Sequence, residues 1–376
     1  MLRFLTAGES HGQALVGILE GFPKGVRIQK DLIDRELSRR QSGYGRGARM
    51  HIEKDKVQVL SGLRAGITLG SPISFLIKNK DKTIDVFLKD KLKALTVPRP
   101  AHADLLGFLK YQDKDLRNIL ERASARETAA RVAGGSICKQ FLGEFKIDIV
   151  SHVAGIGEIL LERHNLSISQ IRRKTQGSAL GCIDRFPERL MIGQIKKAKS
   201  LGDTLGGVIE IVAEKVPPGL GSVMHWDRRL DSRLASALMS IPAIKAVEVG
   251  LGLEYARRLG SKSHDEILYS KTKGFCFKTN NAGGIIAGIS TGAPIVLRIA
   301  MKPIATLANP LESVDINTKK HKKAPSIRSD VTAVTACGVV AESVVSFVLT
   351  QAFLEKFSSD SLSEIKRNYK AYLKKI

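Results

Sequence analysis

An apolar run over residues 331–354 limits the folds open to this chain more than any other feature. Thr332, Thr335, Glu342, Ser343 and Ser346 stand inside it. A membrane span wants about 20 mostly apolar residues, and a carboxylate among four hydroxyls argues against one. The run therefore predicts a buried helix over 331–357. With 376 residues the chain can build a large core around it without staples. Its four cysteines, at 138, 182, 276 and 337, include no C-x-x-C pair. That excludes a disulfide scaffold, a zinc ribbon and a thioredoxin-type site, and no metal is expected.

Apolar spacing predicts three further helices. The first covers 30–40, with Leu32, Ile33 and Leu37 on one side. The second covers 121–145, with Ala125, Ala129, Val132, Ala133, Ile137 and Phe141. Its apolar residues are mostly small, so neighbouring helices can approach closely. The third covers 227–241 and is stopped by Pro242. Strands are expected at 57–60, 73–77, 147–156, 208–216 and 295–301. They do not alternate one-for-one with helices, as a doubly wound sheet requires, and no G-x-G-x-x-G opens a helix after a strand. The fold class is therefore α+β with antiparallel sheets. Residues 1–357 read as a single domain and 358–376 as a basic C-terminal tail, a mobile helix or coil. Two lysine-rich stretches, 78–93 and 319–323, read as exposed loops.

Lys and Arg number 60 against 37 Asp and Glu, a formal charge of +23. Such an excess fits an anionic partner or a merely solvated basic surface. Aromatic residues are only 5%, which weakens a binder that stacks single-stranded bases. No nucleic-acid recognition motif is present. Nor does a long apolar stretch precede Gly8, so no signal peptide is expected. The expectation is a soluble cytoplasmic protein without a nucleic-acid or membrane partner.

Five separated places carry polar residues that structure alone explains poorly. Gly8-Glu9-Ser10-His11-Gly12 reads as a tight turn presenting Ser10 and His11. Arg39, Arg40, Arg46 and Arg49 surround a loop with Gly43, Gly45 and Gly47. The glycines let backbone approach a ligand, and guanidinium forks match phosphate and carboxylate oxygens. In Arg99-Pro100-Ala101-His102-Ala103-Asp104 a carboxylate stands where it can orient His102. Arg122-Ala123-Ser124-Ala125-Arg126-Glu127-Thr128 reads as an anion site at a helix start or, more plainly, as a capping box of Ser124 and Glu127. The last third adds Asn280 to Gly284, the segment Lys302-Pro303-Ile304-Ala305-Thr306, and Arg328-Ser329-Asp330. Asp330 has a plain reading as an N-cap. Any one place is more often structural than catalytic. Together they supply two histidines, an aspartate, a lysine and many arginines, a set suited to a small polyanion.

These motifs, in this order from residue 2 to about 350, resemble the chorismate synthase family. One departure is Ala101, where the family usually has Gly. The resemblance implies a β-α-β sandwich, with a helical layer between antiparallel sheets. It implies the 1,4-anti-elimination of phosphate from 5-enolpyruvylshikimate 3-phosphate to give chorismate, using reduced FMN (FMNH2) without net redox change. By the same resemblance His11 acts at the flavin N1 region, His102 protonates the departing phosphate, and Asp330 stands near the flavin N5. Ser10 and Ser124 complete hydrogen bonds around them. Arg40 and Arg46 bind substrate anions, or NADP in family members that reduce their own flavin, with NADPH then an indirect reductant. The flavin is expected at Arg122, Ala123, Ser124, Pro242, Ala243, Ala287, Lys302, Pro303, Ile304, Ala305, Thr306 and Arg328. A homotetramer and an external flavin reductase are the implied partners. A scaffold that keeps flavin binding but has lost its chemistry is the rival within the family.

Overall fold

The computed structural model describes every residue except 48–52, 81–92, 273, 327–329 and 376. Its first sheet takes the N-terminal hairpin Arg3–Ala7 and Ala14–Glu20, then Ile73–Lys78, then Val57–Val59 at the edge. A second sheet runs in the order Ile244–Val249, Ile295–Met301, Gly207–Glu214, Asp148–Ile156, Ile159–Leu160. Every pairing in both is antiparallel. Helices lie between them. Thr128–Gly143 packs on the first sheet, and the central helix Val334–Lys356 packs on the second and against Thr128–Gly143. This is the expected sandwich.

The central helix is long and apolar enough to cross a membrane, but 83% of its apolar window is buried inside the fold. Its one buried acid, Glu342, is paired with Arg39 and Lys139. Close approach depends on small residues, as expected. A Cβ on Gly135 would come within 2.4 Å of the Cβ of Ser343 on the central helix. Any larger residue there would push the two helices apart.

Three expectations are corrected. The helix read over 121–145 is two, Leu116–Ala123 and Thr128–Gly143, parted at Ser124. Ser124 is extended (ψ 138°), and its hydroxyl accepts from the Arg126 N–H, so side-chain capping overrides the continuous apolar spacing. Glu127 does not close a capping box; its carboxylate pairs with Arg131. Residues 321–323 are not a loop but a strand, His321–Lys323, paired with Glu312–Val314. Residues beyond 358 form the helix Leu362–Leu373, anchored by buried Leu362 and Ile365. Its Tyr369 ring stands 5.4 Å from Phe353 and 5.2 Å from Phe357. Most of the lysine-rich 78–93 stretch lies outside the described residues.

Candidate active site

The Gly8–Gly12 turn links the two strands of the N-terminal hairpin. Gly8 has φ +104°, and a Cβ there would stand 2.3 Å from the Ala14 carbonyl oxygen, so only glycine fits. The turn is pinned to the end of helix Leu116–Ala123. The Ser10 N–H donates to the Glu121 carbonyl (3.0 Å), and the Ser10 hydroxyl donates to Ser124 Oγ (3.1 Å). His11 Nδ1 lies 2.7 Å from Glu121 Oε1, while the His11 backbone N–H donates to Oε2 at 2.6 Å. Arg122 reaches back to the Gly8 carbonyl and to Thr6. Ser10, His11, Arg122, Ala123 and Ser124 thus come together.

A buried arginine cluster adjoins this turn. Arg126 donates to Asn79 Oδ1 (2.9 Å), and the Asn79 amide donates to the carbonyls of Glu9 and Gly12. Arg126 also pairs with Asp55 at 2.8 Å. Arg40, at the end of helix Lys30–Gln41, donates to Thr128 Oγ1 and the Ala125 carbonyl. Its Nη1 stays 3.8 Å from Asp55. Arg40 Nη1 and Arg126 Nη2 are buried without a hydrogen-bond partner among the described residues. Burial pushes the Arg40 guanidinium down to about 10 against the pull of Asp55, and nearby Arg126 and Arg46 add to that fall. It stays cationic at neutral pH.

Asp330 is not a helix cap. The central helix begins beyond Ala333, and Asp330 instead pairs with Arg46 (2.5 Å) and accepts from the Gly47 N–H. Burial lowers Arg46 from the usual guanidinium range, partly offset by Asp330. Adjacent Arg39 turns away. It pairs with Glu36 and Glu342 in a cleft of about 1270 Å³ whose lining includes none of His11, His102, Arg40 and Arg126. That cleft is therefore not the candidate site. Arg49 and Arg328 lie outside the described residues.

His102 forms a second group. Its Nδ1 stands 2.5 Å from Asp104 Oδ1, and Arg99 grips the same carboxylate through Nε (2.8 Å) and Nη2 (3.0 Å). Burial would raise the Asp104 carboxyl, but His102 and Arg99 hold it far below the usual carboxylate range. Arg99 also reaches Thr306 Oγ1 (3.3 Å), and Lys302 Nζ donates to the Ala101 carbonyl. The Lys302 N–H donates to the Ala243 carbonyl at 2.9 Å, next to Pro242. Burial, then Lys245, lowers the Lys302 ammonium. Ala101 (φ +61°), Ala243 (φ +73°) and Ala287 (φ +50°) all hold left-handed backbone. Ala287 sits exposed at a hairpin turn and contacts neither group among the described residues. The two histidine groups meet through packing of Asp104–Tyr111 on Leu116–Ala123.

Sequence reasoning missed Glu121, Asn79 and Asp55. Glu121 did carry a signal. It is an acid in the last turn of a helix, where the dipole disfavours one.

The arrangement offers two buried guanidiniums, each with one nitrogen that makes no hydrogen bond among the described residues, beside a hydroxyl pair and two carboxylate-bound histidines. It suits binding of a compact polyanion with proton transfer close by. Comparison with known proteins agrees. The family model described as chorismate synthase matches residues 2–354. A chorismate synthase of Alkaliphilus metalliredigens is 53% identical, covering 99% of each chain. One of Carboxydothermus hydrogenoformans is 50% identical, over 100% of this chain and 99% of that one. A chorismate synthase crystal structure superposes with a TM-score of 0.82 at 42% identity, over 100% of this chain and 98% of its own.

Proposed function

This chain belongs to the chorismate synthase family, and we propose that its two histidine groups and its arginine cluster carry that family's reaction. The reaction is the loss of phosphate from 5-enolpyruvylshikimate 3-phosphate to give chorismate, a carbon–oxygen lyase step. Reduced flavin, which the family uses, supplies electron density for the elimination when bound.

The carrying observation is the buried arginine pair, whose Arg40 Nη1 and Arg126 Nη2 make no hydrogen bond among the described residues and face carboxylates at longer range, Asp55 at 3.8 Å and Glu53 at 3.5 Å. A buried charged donor that makes no hydrogen bond is costly, and an anionic ligand removes that cost. The substrate brings a phosphate and two carboxylates. We assign Arg40, Arg46 and Arg126 to its anions. His102, held by Asp104, is the proton donor to departing phosphate. His11 exchanges a proton beside the flavin ring, and Asp330, near the flavin N5, would help the flavin accept the substrate proton. Ser10 and Ser124 fix the hydroxyl pair between them.

The residues present fit a flavin phosphate and ring. Lys302 is half-buried, and burial first and Lys245 second lower its ammonium, which suits it to an anionic partner. Its backbone is tied to Ala243. Arg122, Ala123, Ser124, Pro242, Ala243, Ala287 and the 302–306 segment would hold the cofactor. Arg328, outside the described residues, is assigned with them on the resemblance alone. We take the assembly to be a homotetramer, with flavin reduced by an external reductase and NADPH acting only indirectly.

The test is anaerobic incubation with 5-enolpyruvylshikimate 3-phosphate, FMN and dithionite, following chorismate. Turnover only with reduced flavin is the expected result. No turnover, with both ligands shown to bind, would leave a flavin-binding scaffold. Turnover driven by NADPH alone would remove the external reductase.

A further inference from the structure

Glu121 has no part in the roles assigned above, yet it makes the tightest contacts around His11. It is 4% exposed, and both its carboxylate oxygens are spent on one residue. Oε2 accepts from the His11 backbone N–H at 2.6 Å, and Oε1 meets Nδ1 at 2.7 Å. The Glu121 carbonyl accepts from the Ser10 N–H as well. Its place in the last turn of Leu116–Ala123 opposes the helix dipole, so helix stability does not explain it.

We propose that Glu121 is the positioning residue that fixes the protonation geometry of His11. A carboxylate only accepts, so Nδ1 must carry a hydrogen. That leaves Nε2 as the ring nitrogen through which a proton enters and leaves. When Nε2 is protonated the ring is a cation facing the carboxylate. When it releases the proton the ring is neutral, and Nδ1–H stays where it was. The second contact, to the backbone N–H, prevents the carboxylate from rotating away. This inference rests on the reading of His11 as a proton-exchanging group.

Glu121→Gln separates charge from shape. The Gln carbonyl oxygen must keep the His11 backbone N–H, so its NH₂ faces Nδ1. Nδ1 then becomes an acceptor, the hydrogen moves to Nε2, and the cationic ring has no acceptor at Nδ1. The wrong tautomer in a histidine–carboxylate pair costs activity by orders of magnitude while leaving geometry intact.

The experiment uses the full-length protein with ¹⁵N-labelled histidine, the His11 signals being assigned by their loss in His11→Ala. Neutral wild-type His11 should show Nδ1–H. Glu121→Gln should show Nε2–H, with turnover lowered roughly 10²–10⁴-fold. Glu121→Asp should keep the wild-type tautomer. The double variant Glu121→Gln/His11→Ala should be no slower than His11→Ala. A wild-type His11 that is Nε2–H when neutral overturns the proposal, even if Glu121→Gln does not fold. So does an unchanged tautomer in folded Glu121→Gln. Full turnover in His11→Ala would instead sink the catalytic reading of His11, and the spectrum would still decide what Glu121 does.

Discussion

At position 101 the chain holds an alanine in a conformation that suits glycine. Its φ is +61°, and the left-handed region costs a residue with a Cβ about 1–2 kcal/mol. The greater freedom of glycine in the unfolded chain takes back roughly 0.5–1 kcal/mol. Ala101→Gly should therefore stabilise the protein by at most about 1.5 kcal/mol. Thermal unfolding would show a small rise in Tm, and a fall would mean that the strain is absent. The carbonyl of residue 101, which accepts from Lys302, is unchanged by the substitution. Turnover should stay within a few-fold. One residue on, the expectation reverses. His102→Ala removes a group oriented by Asp104 and Arg99. Turnover should fall roughly 10²–10⁴-fold, the usual cost of losing a general acid, with flavin affinity retained. Intact turnover with normal flavin binding would strip His102 of the proton-donor role.

Between elements, the core is tied by a buried ionic knot. Glu342 on the central helix meets Arg39 of Lys30–Gln41, Lys139 of Thr128–Gly143 and Ser151 of the second sheet. Burial alone would raise the Glu342 carboxyl, but Lys139 and Arg39 outweigh it and hold it below the ordinary range. Glu36 behaves likewise, with Lys139 and Arg39 overcoming burial. A carboxylate so lowered adds stability above its unfolded value, about 4.3, and loses it as pH falls further. Glu342→Gln leaves Arg39 and Lys139 with Glu36 as their shared acid, and because Arg39 is also part-exposed the cost should be up to about 3 kcal/mol at pH 7, below that of a fully buried pair. The gap between wild type and variant, read from urea midpoints, should narrow as pH falls below 4.5. A gap that widened there would reverse the sign of the argument. This knot also shows what a sequence conceals. Four helical regions and the five strands were legible because their apolar spacing is long and regular, whereas Asp104–Tyr111, Ile168–Thr175 and Arg185–Ser200 were not read. The break at Ser124 was not, since the same spacing runs through it and a single hydroxyl decides the matter. Ile244–Val249 stayed hidden because its residues are mostly half-exposed. At the site, Ser10, His11, His102, Arg40 and Arg46 stood out by their motifs. Glu121 and Asp55 did not, because an acid on a helix or between lysines reads as a solvated charge. Their meaning appears only when distant segments are brought together.

Over the whole molecule, the charge of +23 exceeds what one active site needs. The acids nearest the site are already committed, Asp55 to Arg126, Asp104 to Arg99 and Asp330 to Arg46. The remaining excess is spread over the surface, where it sets a long-range field rather than a contact. A positive field raises the encounter rate with an anion and is screened over about 8 Å at physiological salt. The contacts at Arg40 and Arg126 are buried and feel salt much less. The two effects separate in the kinetics. Capture of a substrate with a phosphate and two carboxylates should weaken as salt rises, while the chemistry after capture should not. With flavin saturating, kcat/KM should fall on the order of tenfold between low and physiological ionic strength, and kcat should change by less than about twofold. A neutral viscogen controls for diffusion. If kcat/KM is flat with salt, the surface charge plays no part in capture. If kcat falls in step with kcat/KM, the salt acts on the buried cluster itself, and the anion site is more open than Arg40 and Arg126 indicate.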